Sequence, residues 1–265
     1  MLYFVGTPIG NLKDMSFRAV ETLKSVDEIA CEDTRHSLGL LNAYEIKKPL
    51  FSYHKFNEQE SGKKIIEKLK NGLNIAVISD AGMPVVSDPG NVLIKMLIEN
   101  CLDFTVIPSG TACVSALLLS GLDSSRFCFL GFLPSKTKDK KAFLEKYKEL
   151  DVTMIFYSAP HDITDDIKAI YSVFGERTAV AVKEITKLHE SAERFNLSEG
   201  ITGEVRGEYV LVVEGAQEKE NPLNSLSEKE HIQYYIDKGY DKKEALKMTA
   251  KDRNVSKSSL YKYTI

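Results

Sequence analysis

The feature that most constrains this chain is a set of short apolar runs, each stopped abruptly by glycine, proline or aspartate. Leu2-Tyr3-Phe4-Val5 halts at Gly6 and Pro8, Ile75-Ala76-Val77-Ile78 at Asp80-Ala81-Gly82, and Phe104-Thr105-Val106-Ile107 at Pro108. Runs this short, with few polar residues, read as strands buried on both faces. Glu28-Ile29-Ala30-Cys31-Glu32 reads as another, ending in Asp33-Thr34-Arg35. Between them lie amphipathic stretches at 16–23, 63–69 and 92–98. Ser16 is placed to cap the first, and Asn71-Gly72 ends the second. Strands alternating with helices predict an α/β fold with a largely parallel sheet.

The second half changes character. Residues 126–132 are apolar, 136–148 are lysine-rich, and Thr153-Met154-Ile155-Phe156-Tyr157 is a strong strand. Residues 178–182 and Tyr209-Val210-Leu211-Val212-Val213 predict two more strands. We read a second α/β domain, with its boundary at 122–125. The domains then run 1–122 and 123–217. A polar linker at 216–227 leads to a basic tail at 228–265.

Formal net charge is −3, so nucleic-acid binding requires a local basic surface. Cys31, Cys101, Cys113 and Cys128 form no Cys-x-x-Cys pair; in apolar stretches they read as buried, reduced thiols of a cytoplasmic protein. No metal site is expected. The apolar start lacks a basic flank, and no apolar stretch is long enough to cross a bilayer, so no membrane association is expected. No Gly-x-Gly-x-x-Gly fingerprint, phosphate loop, zinc helix or Gly-x-Ser-x-Gly elbow is present.

What remains is three small-residue loops, each just after a strand: Gly6-Thr7-Pro8-Ile9-Gly10-Asn11, 80–90, and Pro108-Ser109-Gly110-Thr111-Ala112. Ligands of open α/β sheets bind beyond the carboxyl ends of strands, where small residues admit close approach to the backbone. Any one loop could be only a tight turn. Three at successive strand ends point to one ligand crevice.

With Glu32-Asp33-Thr34-Arg35 and Gly207-Glu208-Tyr209-Val210-Leu211-Val212-Val213-Glu214-Gly215, these loops resemble the ribosomal RNA small-subunit methyltransferase I family, over essentially the whole chain. That family belongs to the tetrapyrrole-methylase (class III) group of S-adenosylmethionine enzymes. The resemblance implies two α/β domains with the methyl donor in the cleft between them, and a homodimer. It also implies 2′-O-methylation of a cytidine in the decoding region of 16S ribosomal RNA, with the small ribosomal subunit as partner. By position it places Pro8, Asp80, Gly82, Met83, Val86, Thr111, Ala112, Tyr157 and Ile185 against the donor. Two departures stand out. Pro108-Ser109-Gly110 replaces the family's Pro-Gly. Phe156-Tyr157-Ser158-Ala159-Pro160-His161-Asp162 lacks the glutamate and arginine of the family's Phe-Tyr-Glu-Ser-x-His-Arg.

Methyl transfer from a sulfonium is an in-line displacement. Alignment can remove about 7–11 kcal/mol of its barrier at best. A base that takes the ribose hydroxyl proton adds about 10²–10⁴-fold. Asp33, Glu184 and His54 are candidate bases, while Asp80 can instead cap its own turn. Against catalysis stand an Asp33–Arg35 ion pair, a solvated strand end for Glu184, and a structural role for a lone histidine. For RNA, the candidates are Arg35, Lys136, Lys138, Lys140 and Lys141, with Lys251, Arg253 and Lys257 in the tail. The tail reads as a helix-turn-helix, in which Asn254 takes the left-handed turn and Ser256 caps the second helix. From Asp241 onward, seven basic residues against three acidic give +4. Packing or dimerisation would also account for such a tail.

Two other functions fit parts of the pattern. A tetrapyrrole (corrin precursor) methyltransferase would carry Gly-Asp-Pro where Gly82-Met83-Pro84 stands, and would lack the basic tail. A helix-turn-helix DNA-binding regulator would leave the three-loop crevice without a role.

Overall fold

The computed structural model describes residues 1–217 and 222–263. The chain divides into two compact units, 1–216 and 217–265.

The first unit holds two five-stranded sheets. In the first sheet, β1 (Leu2–Val5), β2 (Glu28–Cys31), β3 (Leu50–Ser52), β4 (Ile75–Ile78) and β5 (Phe104–Ile107) are all parallel, in the order β3-β2-β4-β1-β5. Alternate residues of each strand face opposite ways, and helices cover both faces of the central strands β1 and β4, which is why these two are apolar on both sides. Val5, Ile29, Ala76 and Ile78 pack on α1 (Phe17–Ser25) and α2 (Thr34–Ala43). Leu2, Phe4, Ile75 and Val77 pack on α3 (Glu58–Lys70) and α4 (Asn91–Glu99). Ser16 caps α1 by accepting from the Ala19 N–H, as its sequence position predicts.

The connection after β1 runs to one side, toward β2. The connection after β4 crosses to the other side, toward β5. The carboxyl ends of β1 and β4 therefore flank a switch in chain direction, where open sheets bind ligands.

The second sheet has the order β6-β7-β10-β8-β9, formed by β6 (Phe127–Phe132), β7 (Thr153–Ser158), β8 (Thr178–Lys183), β9 (Ser191–Asn196) and β10 (Tyr209–Val213). Only β6 and β7 run parallel; the other pairs are antiparallel. One face packs on α6 (Thr137–Leu144) and α7 (Ile163–Phe174). The other face packs on α5 (Ala112–Ser120), which directly follows the last strand of the first sheet. A single helix thus leaves one sheet and covers the other.

The second unit packs α8 (Glu228–Asp237), α9 (Lys242–Asp252) and α10 (Lys257–Leu260) around Ile232, Ala245, Leu246, Ala250 and Leu260. Asn254 has φ +50°, and Ser256 caps α10 through the Ser259 N–H, both as the tail sequence predicts. Part of the expected linker, residues 218–221, lies outside the described residues. No described helix is long and apolar enough to cross a membrane.

The expectation of four buried thiols needs correction. Cys31 and Cys113 are buried, but Cys101 is exposed and Cys128 half-buried. Cys101 stands in the turn after α4, with φ +51°.

Candidate functional site

The three strand-end loops of the first sheet meet because β1 lies between β4 and β5. The Thr7 N–H donates to Gly82 O at 2.8 Å, and the Gly82 N–H returns a bond to Thr7 O at 3.2 Å. Ser109 Oγ donates to Thr7 O at 3.1 Å, and the Ser109 N–H points at Met83 Sδ at 3.3 Å. The fit is close. A Cβ on Gly6 would lie 2.5 Å from Ser109 Cβ and 2.6 Å from Met83 Sδ, so a side chain there would force the loops apart. Ser109 thus stitches the first loop to the third.

These loops form one wall of a cavity of about 480 Å³. Its opposite wall comes from the second sheet, with Phe132, Tyr157, Ser158, Pro160 and Tyr209. Tyr157 makes edge contacts with Phe129 at 4.8 Å and Phe132 at 5.5 Å. Burial, then the adjoining Cys113, pushes its hydroxyl pKa far up, so it stays protonated.

Carboxylates gather on the first-sheet side: Glu32 after β2, and Asp80 and Asp88 after β4. Burial raises the Glu32 pKa, with Asp88 and Asp80 adding to the rise and His54 opposing it. Burial likewise raises Asp88. Asp80 Oδ1 accepts the Asp33 N–H at 3.3 Å and so ties the loop after β2 to the loop after β4.

Asp80, Gly82, Met83, Val86, Thr111, Ala112 and Tyr157 all line the cavity. Pro8 and Ile185 do not; Pro8 is buried beneath the loops, and Ile185 belongs to the core against α5. Glu32, Asp88, Phe132 and Ser158 line it without having been singled out. The acidic residues inside the Glu32-Asp33-Thr34-Arg35 and Ser87-Asp88-Pro89-Gly90 segments were the available signal.

The three candidate bases stand outside the lining. Asp33 caps α2 through the Arg35 N–H at 2.8 Å and pairs with the Arg35 guanidinium at 3.6 Å. Glu184 is used internally. Its Oε1 accepts the Glu208 N–H at 2.9 Å and the Lys187 ammonium at 3.1 Å, and the Glu208 N–H, first among several causes, lowers its pKa. His54 Nδ1 is buried without a partner among the described residues, beside Phe56.

Two basic residues must leave the expected RNA surface. Lys140 is buried and paired with Asp166 at 2.5 Å; it lies four residues before the core residue Leu144, on the inward face of α6. Arg253 is committed within the tail to His231, the Leu226 carbonyl and Glu228. Arg35, Lys136, Lys138, Lys141 and Lys251 are exposed, and Lys257 is half-buried.

Solved structures share the fold. Uroporphyrin-III C-methyltransferase of Thermus thermophilus superposes with a TM-score of 0.56 at 19% identity, covering 80% of this chain and 93% of that one. The methyltransferase CobJ gives 0.61 at 17%, covering 81% and 94%. The family model for tetrapyrrole (corrin/porphyrin) methylases matches residues 1–200. The fold is that of a tetrapyrrole-type methylase.

Among curated proteins, ribosomal RNA small subunit methyltransferase I of Bacillus subtilis is 45% identical over 98% of this chain and 92% of its own length. The protein of the same name from Haemophilus influenzae is 46% identical over 83% and 81%. The chain therefore belongs to the tetrapyrrole methylase family, in its ribosomal RNA small subunit methyltransferase I branch.

It is a methyltransferase, and S-adenosylmethionine is its methyl donor. The residues present fit that donor. The cavity is large enough for a nucleoside-sized ligand. Gly82 and Ala112 leave backbone accessible, and carboxylates face a ligand that carries a positive sulfur.

Proposed function

We propose that the protein methylates the 2′-hydroxyl of a cytidine in the decoding region of 16S ribosomal RNA, in the small ribosomal subunit. The observation that carries this reading is the cavity built from three joined strand-end loops, in a chain whose full-length relatives bear an rRNA methyltransferase name. When bound, the donor supplies an electrophilic methyl carbon on a sulfonium. The ribose oxygen forms the new C–O bond as the C–S bond breaks, and the electron pair stays on sulfur. The chain's part is to align these atoms and accept the hydroxyl proton.

Glu32 is the group we assign to the proton. It lines the cavity, and its raised pKa makes it a stronger base than an ordinary carboxylate. RNA contacts are assigned in the first unit to Arg35, Lys136, Lys138 and Lys141, and separately in the second unit to Lys251 and Lys257; phosphate contacts would make binding salt-dependent. The target nucleotide must leave its stack to present its 2′-oxygen, which an aromatic wall such as Phe132 and Tyr157 can support.

We further take the protein to act in the cytoplasm as a homodimer. Exposed apolar side chains on α5, Val114 and Leu118 among them, favour a second copy.

The test supplies tritiated donor and small subunits from a strain lacking the activity, then digests the RNA to nucleosides. Label in 2′-O-methylcytidine supports the reading. Label in a tetrapyrrole extract instead of RNA would replace it with the corrin alternative.

A further inference from the structure

Lys140, Asp166 and Ser158 come from three elements and meet in the interior, each 5% exposed or less. The Lys140 ammonium lies 2.5 Å from Asp166 Oδ1, and Ser158 Oγ donates to Asp166 Oδ2 at 2.6 Å. The lysine is on α6, the aspartate in the first turn of α7, and the serine is the last residue of β7. A buried ion pair is poor evidence for stability, because desolvation offsets attraction and apolar residues of similar size often serve as well. What this array has is direction. Each carboxylate oxygen holds a different partner, so Asp166 cannot turn without losing one of them.

Ser158 is thereby pinned from behind. Strand alternation turns it toward α6 and α7, while Tyr157 turns toward α5 and the cavity. The chain then bends through Ala159 and Pro160. Residues 157–160 all line the cavity, so the array fixes the point where β7 becomes cavity wall.

We propose that Lys140 and Asp166 are positioning residues for the donor cavity, holding the 157–160 wall through the Ser158 hydroxyl. The proposal rests on the reading of this cavity as the donor site. It has a consequence for the substrate. The same α6 carries exposed Lys138 and Lys141, and exposed Lys136 stands immediately before it. A polyanion held by those lysines would sit on or beside the helix that carries Lys140, and any coupling between RNA and donor acts equally in both directions.

The test uses the full chain, Ser158→Ala, and the paired substitution Lys140→Met with Asp166→Leu. The paired variant leaves no charge buried alone and so keeps its fold. Calorimetry with S-adenosylhomocysteine, thermal unfolding, and donor KM and kcat are measured for each. Both variants are expected to bind the product about tenfold more weakly, the effect of losing one hydrogen bond to a charged partner. Donor KM rises while kcat at saturating donor and RNA affinity without donor are unchanged, and Ser158→Thr restores binding. Wild-type affinity in both variants overturns the proposal, as does a lowered unfolding temperature with unchanged affinity. Failure of the unsubstituted protein to bind S-adenosylhomocysteine overturns the donor reading itself, and is recognised separately.

Discussion

The Arg253 guanidinium donates from Nε to His231 Nδ1 at 3.1 Å. Arginine cannot accept, so Nδ1 is unprotonated, and the ring hydrogen sits on Nε2, facing Asp252 at 3.1 Å. Arg253 also reaches the Leu226 carbonyl, and Tyr235 donates its hydroxyl to Asp252. One fully buried imidazole therefore joins α8 to the end of α9.

Acid should loosen the tail. Burial lowers the His231 pKa in the folded state, despite the opposing Asp252. The folded tail then holds fewer protons than the unfolded one. Its stability is fully present above the ordinary histidine value of about 6.5 and declines as pH falls toward the lower folded value. Nuclear magnetic resonance of the full chain checks this: tail signals should broaden or shift below about pH 6.5, and His231→Gln should remove the pH dependence.

Arg253→Ala should destabilise the tail by about 1–3 kcal/mol, because it leaves a carbonyl and a ring nitrogen unpaired. Arg253→Lys should not rescue it, since lysine lacks the planar fork that reaches both. Proteolytic sensitivity of the tail, compared between the two variants, is the measurement.

Lys251→Glu should behave differently. The side chain is exposed. RNA affinity and its salt slope should both fall, by about one unit of slope, with donor affinity and stability unchanged. Titration of RNA binding against salt separates this from a folding defect.

Gly6→Ala should weaken donor binding by prying the loops apart, at a cost of about 1–3 kcal/mol from overpacking. Calorimetry with S-adenosylhomocysteine and thermal unfolding should both register it.

Cavity charge should set the preference for donor over product, which differ by the positive charge on sulfur. Glu32 and Asp88 have raised pKa values, so they are protonated, and neutral, at a higher pH than ordinary carboxylates. As pH falls through that range, affinity for S-adenosylmethionine should drop faster than affinity for S-adenosylhomocysteine. Glu32→Gln and Asp88→Asn should lower the same ratio at neutral pH. The ratio of the two dissociation constants across pH is the test.

Much of the architecture was legible because the buried strands announce themselves. The expected runs at 2–5, 75–78, 104–107 and 209–213 coincide with β1, β4, β5 and β10. Two strands escaped for a physical reason. β3 has only three residues and β9, Ser191–Asn196, is largely polar, so neither makes the apolar run that marks the other strands, including the edge strands β5 and β6. In the site, the loops were readable but their burial was not. Lysine content suggested a basic surface, whereas Lys140 turns inward beside Leu144 and its neighbours do not. The candidate base Glu184 sits at φ +51° against Gly207 at φ +76°, a pairing of distant segments that only the folded chain brings together.

Strand β10 lies between β7 and β8, although it is the last strand of its sheet to be synthesised. The first sheet is complete once Ile107 has left the translating ribosome, whereas the second stays split into two separate strand pairs until Val213 emerges. During that interval β7 and β8 each show an open edge, and a nascent chain halted before Tyr209 would carry a finished first sheet beside an unfinished wall.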